Sequence, residues 1–442
     1  MSLLEKMETQ KGFQKLDNSE ESVEKNIDPF AVAKRRIHLD IINQINKQGS
    51  KTVEKDTVQR LIDEAVNDEQ YAIPRLERAK VSREIYNDVM GYGPIDELLE
   101  SPEYSEVMVN GPNKVYVERA GKLELTGITF RDDAHVINVI DRIVSQIGRH
   151  IDETSPMVDA RLPDGSRVNA VIAPISLIGP VITIRKFGKT PITAKNLIDF
   201  NSLSPKMLAF LEACIKGRLN IIVSGGTGSG KTTLLNVLSS FIPENERIVT
   251  IEDAAEIQLK QEHVITLESR PANLEGKGQI SIRALLKNAL RMRPDRIIVG
   301  EVRSDETLDM LQAMNTGHDG SLTTIHANSA RDSISRIETM VMMSGMELPV
   351  KAIRDQVSSA VDLIIQQSRL RDGTRKITSI TEVIGMEGDV VSMQDLFLYE
   401  TEGRIDVDGK FKGVFKPTGV RPYCLEKVRQ NGVLVNNDWF TN

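Results

Sequence analysis

The stretch that decides how this sequence folds is Gly225-Gly226-Thr227-Gly228-Ser229-Gly230-Lys231-Thr232-Thr233. It fits the pattern G-x-x-x-x-G-K-[ST] of a phosphate-binding loop. A nucleoside triphosphate needs several N–H donors around its oxygens, and glycines let the backbone come that close and take positive φ. We expect Lys231 to reach the β- and γ-phosphates of ATP and the Thr232 hydroxyl to ligate Mg²⁺. Every residue of the stretch is therefore predicted to contribute to nucleotide binding.

The residues on either side supply the strand and the helix that such a loop requires. Residues 219–223 form an apolar run typical of a buried strand, and residues 231–238 continue as an apolar-faced helix. Helical patterns over 282–290 and 306–314 alternate with further apolar runs. Four of those runs predict strands, at 248–251, 296–299, 321–325 and 361–365. We therefore predict an α/β domain with a mostly parallel sheet wrapped by helices, in which ligands bind at the carboxyl ends of the strands.

Composition and charge narrow the possible classes of protein. The chain has 442 residues, which is too long for one compact core and predicts two or three domains. Lys and Arg number 56 against 63 Asp and Glu, so the net charge is 56 − 63 = −7. Such a chain would on average repel a nucleic-acid backbone, so no nucleic-acid partner is expected.

The location is predicted from the absence of secretory features. The two cysteines, Cys214 and Cys424, have no metal-ligand spacing, which favours a reducing cytoplasm. Residues 1–30 are polar and carry both signs of charge, unlike a signal peptide. Polar residues and prolines interrupt the most apolar stretch, 168–184, which we interpret as two strands. These features predict a soluble cytoplasmic protein.

Changes in pattern divide the chain into six predicted segments. The tail shows no apolar periodicity, the bundle shows three apolar stripes at helical spacing, and the next domain shows short alternating runs around one amphipathic helix. That helix is marked by Val136, Val139, Ile140, Ile143 and Ile147. The segments are a disordered tail (1–28), a helical bundle (29–92), an α+β domain (93–187), a linker (188–200), the sheet domain with the phosphate loop (201–370) and a small β-rich appendage (371–442).

Acidic residues follow two of the predicted strands, where catalytic groups must lie to reach phosphates. Glu252 and Glu256 follow the strand at 248–251. Carboxylates there could hold Mg²⁺ through water or orient an attacking water. Glu301 follows the strand at 296–299, with Gly300 in the place where many such enzymes carry an Asp. We predict Thr232, Glu252 and Glu301 as Mg²⁺ ligands, and either Glu301 or Glu256 as the general base.

Two histidines lie in one short window around the strand at 321–325. The chain has only six histidines, and His318 and His326 flank this strand beside glycine turns. We predict that both hydrogen-bond the γ-phosphate when ATP is present. A zinc site fits poorly because no third or fourth ligand is near in sequence.

These four clusters, in this order and spacing, resemble the Walker A motif, Asp box, atypical Walker B motif and His box of the type II/type IV secretion ATPases. Residues 158–168 and 182–187 resemble the CpaF branch, which serves Flp/Tad pilus assembly. The resemblance extends from about residue 75 to the C-terminus. It implies a RecA-like ATPase domain preceded by an α+β, PAS-like domain, with ATP bound between the two lobes of each subunit. It also implies a homo-hexamer acting as a cytoplasmic motor, peripheral at the inner membrane, on a platform protein.

Three arginines lie on predicted strands of the α+β domain: Arg161, Arg167 and Arg185. Arginine binds phosphate oxygens bidentately and keeps its charge. The resemblance implies that Arg167 and Arg185 close over the phosphates, within one subunit or across two. Surface ion pairs with nearby carboxylates remain the alternative.

Two other functions fit the same fold. A ring-shaped nucleic-acid translocase would need a basic, aromatic-rich channel, whereas this chain has net charge −7 and 4% aromatic residues. A scaffold that binds ATP without turnover would need no water-positioning carboxylate, whereas Glu256 and Glu301 are present. The sequence therefore favours an ATPase.

Overall fold

The computed structural model describes residues 29–47, 54–119, 121–146, 148–188, 191–272, 277–405 and 409–441. The predicted tail, 1–28, and residues 189–190 of the predicted linker lie outside these ranges. The chain divides into two compact units. The first contains the described chain up to Arg161 together with Val168–Ile184, and the second contains Leu162–Arg167 and the chain from Arg185 onward.

Three helices open the first unit: α1 (Ala31–Lys47), α2 (Lys55–Asn67) and α3 (Arg75–Met90). Each carries apolar side chains at three- and four-residue spacing, which places them on one face. The three faces pack into one buried cluster. The buried members are Ile37, Ile41, Val58, Ile62, Val66, Ile73, Val81, Ile85 and Val89.

A six-stranded sheet follows in the order β3-β2-β1-β6-β5-β4. The short helix α4 (Asp96–Glu100) precedes it, and α5 (Asp133–Ser145) lies between β3 and β4 in sequence. Ile147, which we counted in the apolar stripe, lies outside the described residues. The sequence did not predict β3, because a short edge strand is defined mainly by its pairing, here with β2. The strands are β1 (Tyr104–Asn110), β2 (Val115–Arg119), β3 (Lys122–Leu125), β4 (Met157–Arg161), β5 (Arg167–Val171) and β6 (Val181–Arg185).

The second unit is built on a nine-stranded sheet in the order β15-β14-β13-β12-β7-β11-β10-β8-β9. Strands β7 to β12 pair in parallel, and β13 to β15 add antiparallel pairs at one edge. The predicted α/β class with a mostly parallel sheet is confirmed. The strands are β7 (Ile221–Gly225), β8 (Ile248–Glu252), β9 (Val264–Glu268), β10 (Arg296–Val299), β11 (Leu322–Ile325), β12 (Leu363–Arg369), β13 (Arg375–Glu387), β14 (Val390–Ile405) and β15 (Phe411–Pro417).

Helices cover both faces of this sheet because successive side chains of a strand point to opposite faces. Val223 of β7 belongs to the core shared with α7 and α8, whereas the neighbouring Ile222 belongs to the core shared with α10, α11 and α12. Two buried cores therefore hold the central strands. The helices are α6 (Ala194–Asp199), α7 (Pro205–Lys216), α8 (Lys231–Ser239), α9 (Ile282–Ala289), α10 (Glu306–Asn315), α11 (Ala330–Met343), α12 (Val350–Ala360) and α13 (Leu425–Gln430).

We expected the C-terminal segment to be a small β-rich appendage on the sheet domain. β13 pairs antiparallel with β12, and β14 and β15 extend the same sheet. The strands after residue 371 therefore continue the central sheet. The sequence could not show this, because it contains no signal for which earlier strand a hairpin joins.

β7 begins two residues later than the apolar run suggests, because Asn220 is used as a tether. Its buried side chain accepts hydrogen bonds from the backbone amides of Gly320 at 2.8 Å and Ser321 at 3.0 Å. It also donates to the carbonyl oxygen of Ala360 at 2.8 Å. Asn220 thus ties β7 to the segments before β11 and β12 at the amino edge of the sheet.

Two expectations from composition can be compared with the structure. Cys214 and Cys424 are both buried and form no disulfide. Across the part of the chain that the structure describes, no helix is both long and apolar enough to cross a membrane.

Candidate functional site

The phosphate loop forms the turn between β7 and α8. β7 is buried along its whole length, and α8 begins at Lys231. Gly228 and Gly230 have φ values of 70° and 97°, which residues with a Cβ rarely adopt. A Cβ on Gly225 would lie 2.2 Å from the carbonyl oxygen of Gln367 on β12. Backbone conformation therefore requires glycine at two positions, and the neighbouring strand requires it at the third.

The side chain of Lys231 lies inside this loop and is only 8% exposed. Its Nζ donates to the carbonyl oxygen of Gly226 at 3.1 Å. The same atom lies 3.3 Å from Nδ1 and 3.4 Å from Nε2 of His326. The loop, the lysine and one predicted histidine thus meet at the carboxyl edge of the sheet.

Several charges act on this lysine. Burial is the largest effect and lowers the pKa of Lys231, whereas the carboxylate of Glu301 raises it. The positive charges of Arg303 and Arg185 lower it further. An anion in the loop would favour the charged ammonium form. Arg185 therefore lies within electrostatic range of Lys231.

Glu301 links the histidine to a neighbouring cation. Its Oε1 lies 2.9 Å from Nε2 of His326, and its Oε2 accepts from Nη2 of Arg303 at 2.7 Å. Nη1 of Arg303 also donates to Asp253 at 3.0 Å. Burial lowers the pKa of His326, the Glu301 carboxylate raises it, and the Lys231 ammonium lowers it. Glu301 therefore lies between the basic groups of the site.

Glu252, the last residue of β8, organises the loop that follows it. It is only 3% exposed. Its Oε1 accepts hydrogen bonds from the backbone amides of Glu256 at 3.0 Å and Ile257 at 3.2 Å. A Cβ on Gly300 of the adjacent strand end would lie 2.8 Å from Cγ of Glu252. The side chain of Glu252 thus occupies the space beside residue 300, which explains the glycine where related sites carry an acid.

Replacing Gly300 with alanine is expected to lower the free energy of unfolding by roughly 1–3 kcal/mol, because the new methyl group must displace Glu252. Denaturant unfolding would measure the loss. Gly226→Ala is the matched control, since a Cβ at that position meets nothing within 4 Å. Equal stability of the two variants would contradict the steric argument.

The three arginines occupy strand ends. Arg161 is the last residue of β4, Arg167 the first of β5 and Arg185 the last of β6. Arg167 and Arg185 both fall in the second unit. Nη1 of Arg167 donates to Oε1 of Glu256 at 3.1 Å, with about half of the arginine side chain exposed. This pair matches the surface ion pair that the sequence left open, and such pairs contribute about 0–1 kcal/mol.

His318 lies at the opposite edge of the sheet from the phosphate loop. It precedes β11, and Leu322 at the start of β11 pairs with Ile221 at the start of β7. Because the strands are parallel, the loop and His326 follow their carboxyl ends, whereas His318 lies before their amino ends. The four residues of β11 alone span roughly 13 Å. The prediction that both histidines contact the γ-phosphate is therefore wrong for His318 within one chain.

Sequence analysis missed other residues at this edge. Arg303 contacts Glu301, Gln367 lies against Gly225, and Arg375 contacts the loop at Gly228. Arg303 follows β10, which runs parallel to the other central strands, so the rule that selected Glu301 could have found it. Gln367 lies within β12, opposite Gly225, and gave no such signal. Arg375 gave no such signal, because it begins an antiparallel strand.

The oxygen donors near the loop fit Mg²⁺. Thr232 lies at the start of α8, and Glu252 and Glu301 lie at the ends of neighbouring strands. Mg²⁺ prefers oxygen ligands and usually keeps several waters. Among the described residues, no group of three or more His, Cys, Asp or Glu side chains is arranged to hold a metal. Hydroxyl and carboxylate oxygens of this kind suit an ion held partly through water and phosphate oxygens.

A phosphate loop at the carboxyl edge of a mostly parallel sheet defines this chain as a P-loop protein of the RecA-like α/β class. It belongs to the Type II/IV secretion system protein family, whose sequence profile matches residues 88–408.

Individual relatives share this architecture. The chain is 34% identical over 314 residues to the putative conjugal transfer protein Rv3659c of Mycobacterium tuberculosis, covering 70% of this chain and 89% of that protein. It is 31% identical over 312 residues to the type IV secretion system protein VirB11 of Brucella abortus. The match covers 64% of this chain and 85% of that protein. The fold resembles the crystal structure of the pilus retraction motor PilT with bound ADP, with a TM-score of 0.50 and 21% sequence identity. The match covers 77% of this chain and 86% of the PilT chain. That last similarity concerns the fold alone.

Proposed function

We propose that this chain is an ATPase of the CpaF branch, a hexameric motor that powers pilus assembly or protein secretion through an inner-membrane platform protein. The observation that carries the proposal is the contact chain from the phosphate loop to a carboxylate. Lys231 lies 3.3 Å from His326, which in turn lies 2.9 Å from Glu301. A phosphate-binding cation and a proton acceptor therefore share one site.

The loop binds the triphosphate. The backbone amides of residues 225–233 and the amino end of α8 supply donors and a positive dipole for the β- and γ-phosphates. Lys231 adds a full positive charge. Thr232, and through water Glu252 and Glu301, would hold Mg²⁺, which would supply positive charge to the phosphates.

Glu301 is the proposed general base. It accepts a proton from the attacking water as that water displaces ADP from the γ-phosphoryl group. Glu301 lies 2.9 Å from His326, whose ring in turn lies 3.3 Å from the Lys231 ammonium in the loop. Glu256 is the competing candidate, but its carboxylate accepts from Arg167 and its backbone amide is held by Glu252. These contacts support a role for Glu256 in shaping the loop after β8.

His326 connects the two functional groups. Burial keeps its pKa low, which favours a neutral ring at neutral pH. Nδ1 can then accept a hydrogen bond from the Lys231 ammonium, while Nε2 lies 2.9 Å from Oε1 of Glu301. When a γ-phosphate arrives, the lysine exchanges this contact for the phosphate, and His326 senses the change.

The finer assignment rests on sequence and on relatives. Residues 158–168 and 182–187 resemble the CpaF branch, and relatives carry the names conjugal transfer protein and type IV secretion system protein. The hexamer, the closing of Arg167 and Arg185 over the phosphates, and the peripheral position at the cytoplasmic face of the inner membrane are part of the same proposal.

Glu301→Gln is expected to retain ATP binding and to lose turnover by roughly 10²-fold or more, since an amide cannot accept the proton of water. Single-turnover hydrolysis would measure the loss. Glu256→Gln is the comparison variant and should lose far less. Normal turnover in Glu301→Gln would assign this residue a structural role only.

One further assay separates the alternative functions. The hydrolysis rate is measured for the protein alone, with single-stranded DNA, and with membranes that contain the platform protein. We expect stimulation by the membranes. Stimulation by DNA alone would favour a translocase, and binding of ATP without hydrolysis in any arm would favour a scaffold.

A further inference from the structure

The hairpin formed by β12 and β13 lies directly against the phosphate loop. A Cβ on Gly225 would meet the carbonyl oxygen of Gln367 at 2.2 Å, and a Cβ on Gly230 would meet the Gln367 side chain at 3.2 Å. Gln367 is itself buried, with 3% of its surface exposed. The hairpin therefore forms one wall of the loop.

Arg375, the first residue of β13, makes a polar contact with this loop. Its Nε donates to the carbonyl oxygen of Gly228 at 3.0 Å. Its Cδ lies 3.2 Å from the position that a Cβ on Gly230 would occupy. One arginine therefore spans the two glycines with positive φ that shape the loop.

The hairpin that carries Arg375 is anchored to the rest of the unit. Asp372 in its turn accepts from the backbone amide of Thr374 at 2.9 Å and from that of Phe411 on β15 at 2.7 Å. Lys376, which follows Arg375, donates to the carbonyl oxygen of Asn201 at 2.6 Å. Arg375 thus starts from a fixed backbone, so its side chain can restrain the loop.

We infer that Arg375 is a positioning residue of the nucleotide site: it holds Gly228 and Gly230 in the phosphate-binding conformation and thereby sets the affinity for nucleotide. This inference rests on the proposed nucleotide-binding function of the loop. Glycines have the widest conformational freedom of all residues, so an unrestrained loop loses more entropy on binding. The Arg375 contact removes part of that cost before nucleotide arrives.

A positioning role makes a different prediction from direct contact with the γ-phosphate. ADP and ATP both bind to the same loop conformation, so loss of the restraint should weaken the binding of both nucleotides to the same extent. If Arg375 contacted the γ-phosphate directly, its loss would lower the affinity for ATP alone. A general structural role would lower the melting temperature and reduce kcat and affinity together.

The test compares Arg375→Ala and Arg375→Lys with wild type in the full chain, using ADP and a non-hydrolysable ATP analogue as probes in calorimetric titrations. We expect Arg375→Ala to raise Kd for both probes by roughly 10-fold, the usual scale for one hydrogen bond to a charged group. KM for ATP should rise by a similar factor, with kcat and Tm nearly unchanged. Arg375→Lys should fall between alanine and wild type, because it retains the charge but lacks the Nε–H donor.

Arg371→Ala is the matched control, because Arg371 is an exposed arginine in the same hairpin. It should bind both probes as wild type does. An unchanged Kd in Arg375→Ala, a loss confined to the ATP analogue, or a joint fall of Tm and kcat would each overturn the inference. ADP affinity needs no turnover, so a wild type that binds ADP but does not hydrolyse ATP would refute the proposed motor and leave this inference standing.

Discussion

Replacing Lys231 with alanine is expected to abolish ATP hydrolysis and to weaken nucleotide binding strongly. Lys231 is 8% exposed and its Nζ donates a hydrogen bond within the loop, so its loss removes a buried positive charge from the phosphate site. Loss of a preorganised cation at the developing charge typically costs at least roughly 10³-fold in turnover, or about 4 kcal/mol. Release of inorganic phosphate and calorimetric titration with ADP would measure both effects.

A surface lysine provides the control for this variant. Lys216 on α7 pairs with Glu212, and 45% of its side chain is exposed. Lys216→Ala should hydrolyse ATP at the wild-type rate, because exposed pairs of this kind contribute little. If Lys231→Ala retained near-normal turnover, the assignment of the whole site would fail.

Arg185→Ala is expected to reduce turnover by roughly 10³-fold while leaving nucleotide affinity and subunit count largely intact. Transfer of the γ-phosphoryl group to water spreads negative charge over its equatorial oxygens. Lys231 neutralises part of that charge. The guanidinium of Arg185, which is planar and always charged, is suited to neutralise the rest. The positive charge of Arg185 lowers the pKa of Lys231, so the two cations act on each other electrostatically. Steady-state hydrolysis would measure the turnover, and light scattering on the same sample would measure the subunit count.

Arg119→Ala is the matched control, because Arg119 is also a strand arginine but forms an exposed pair with Glu124. It should leave turnover unchanged. Unchanged turnover in Arg185→Ala would remove this arginine from the mechanism. A monomer that hydrolyses ATP at the full rate would remove the ring.

The phosphate loop and its sheet could be predicted because their requirements are local. Positive φ, close backbone approach and a buried strand each leave a sequence signature within a few residues. The same locality explains why Glu252 and Glu301 were selected, since both directly follow or end apolar strands. The error at His318 arose because this rule was not applied to it: His318 precedes its strand, so it lies at the amino end of that strand.

By itself, the sequence determined the α/β class, the loop and the acidic strand ends of this protein, since glycine conformation and apolar periodicity are properties of short segments. Long-range packing brings His326 to both Lys231 and Glu301, fills the space beside Gly300 with Glu252, and brings Arg375 of the C-terminal hairpin to the loop. These contacts depend on which strands pair, and on whether they run parallel or antiparallel. Pairing joins residues more than a hundred positions apart, so it is set by the packing of the whole unit.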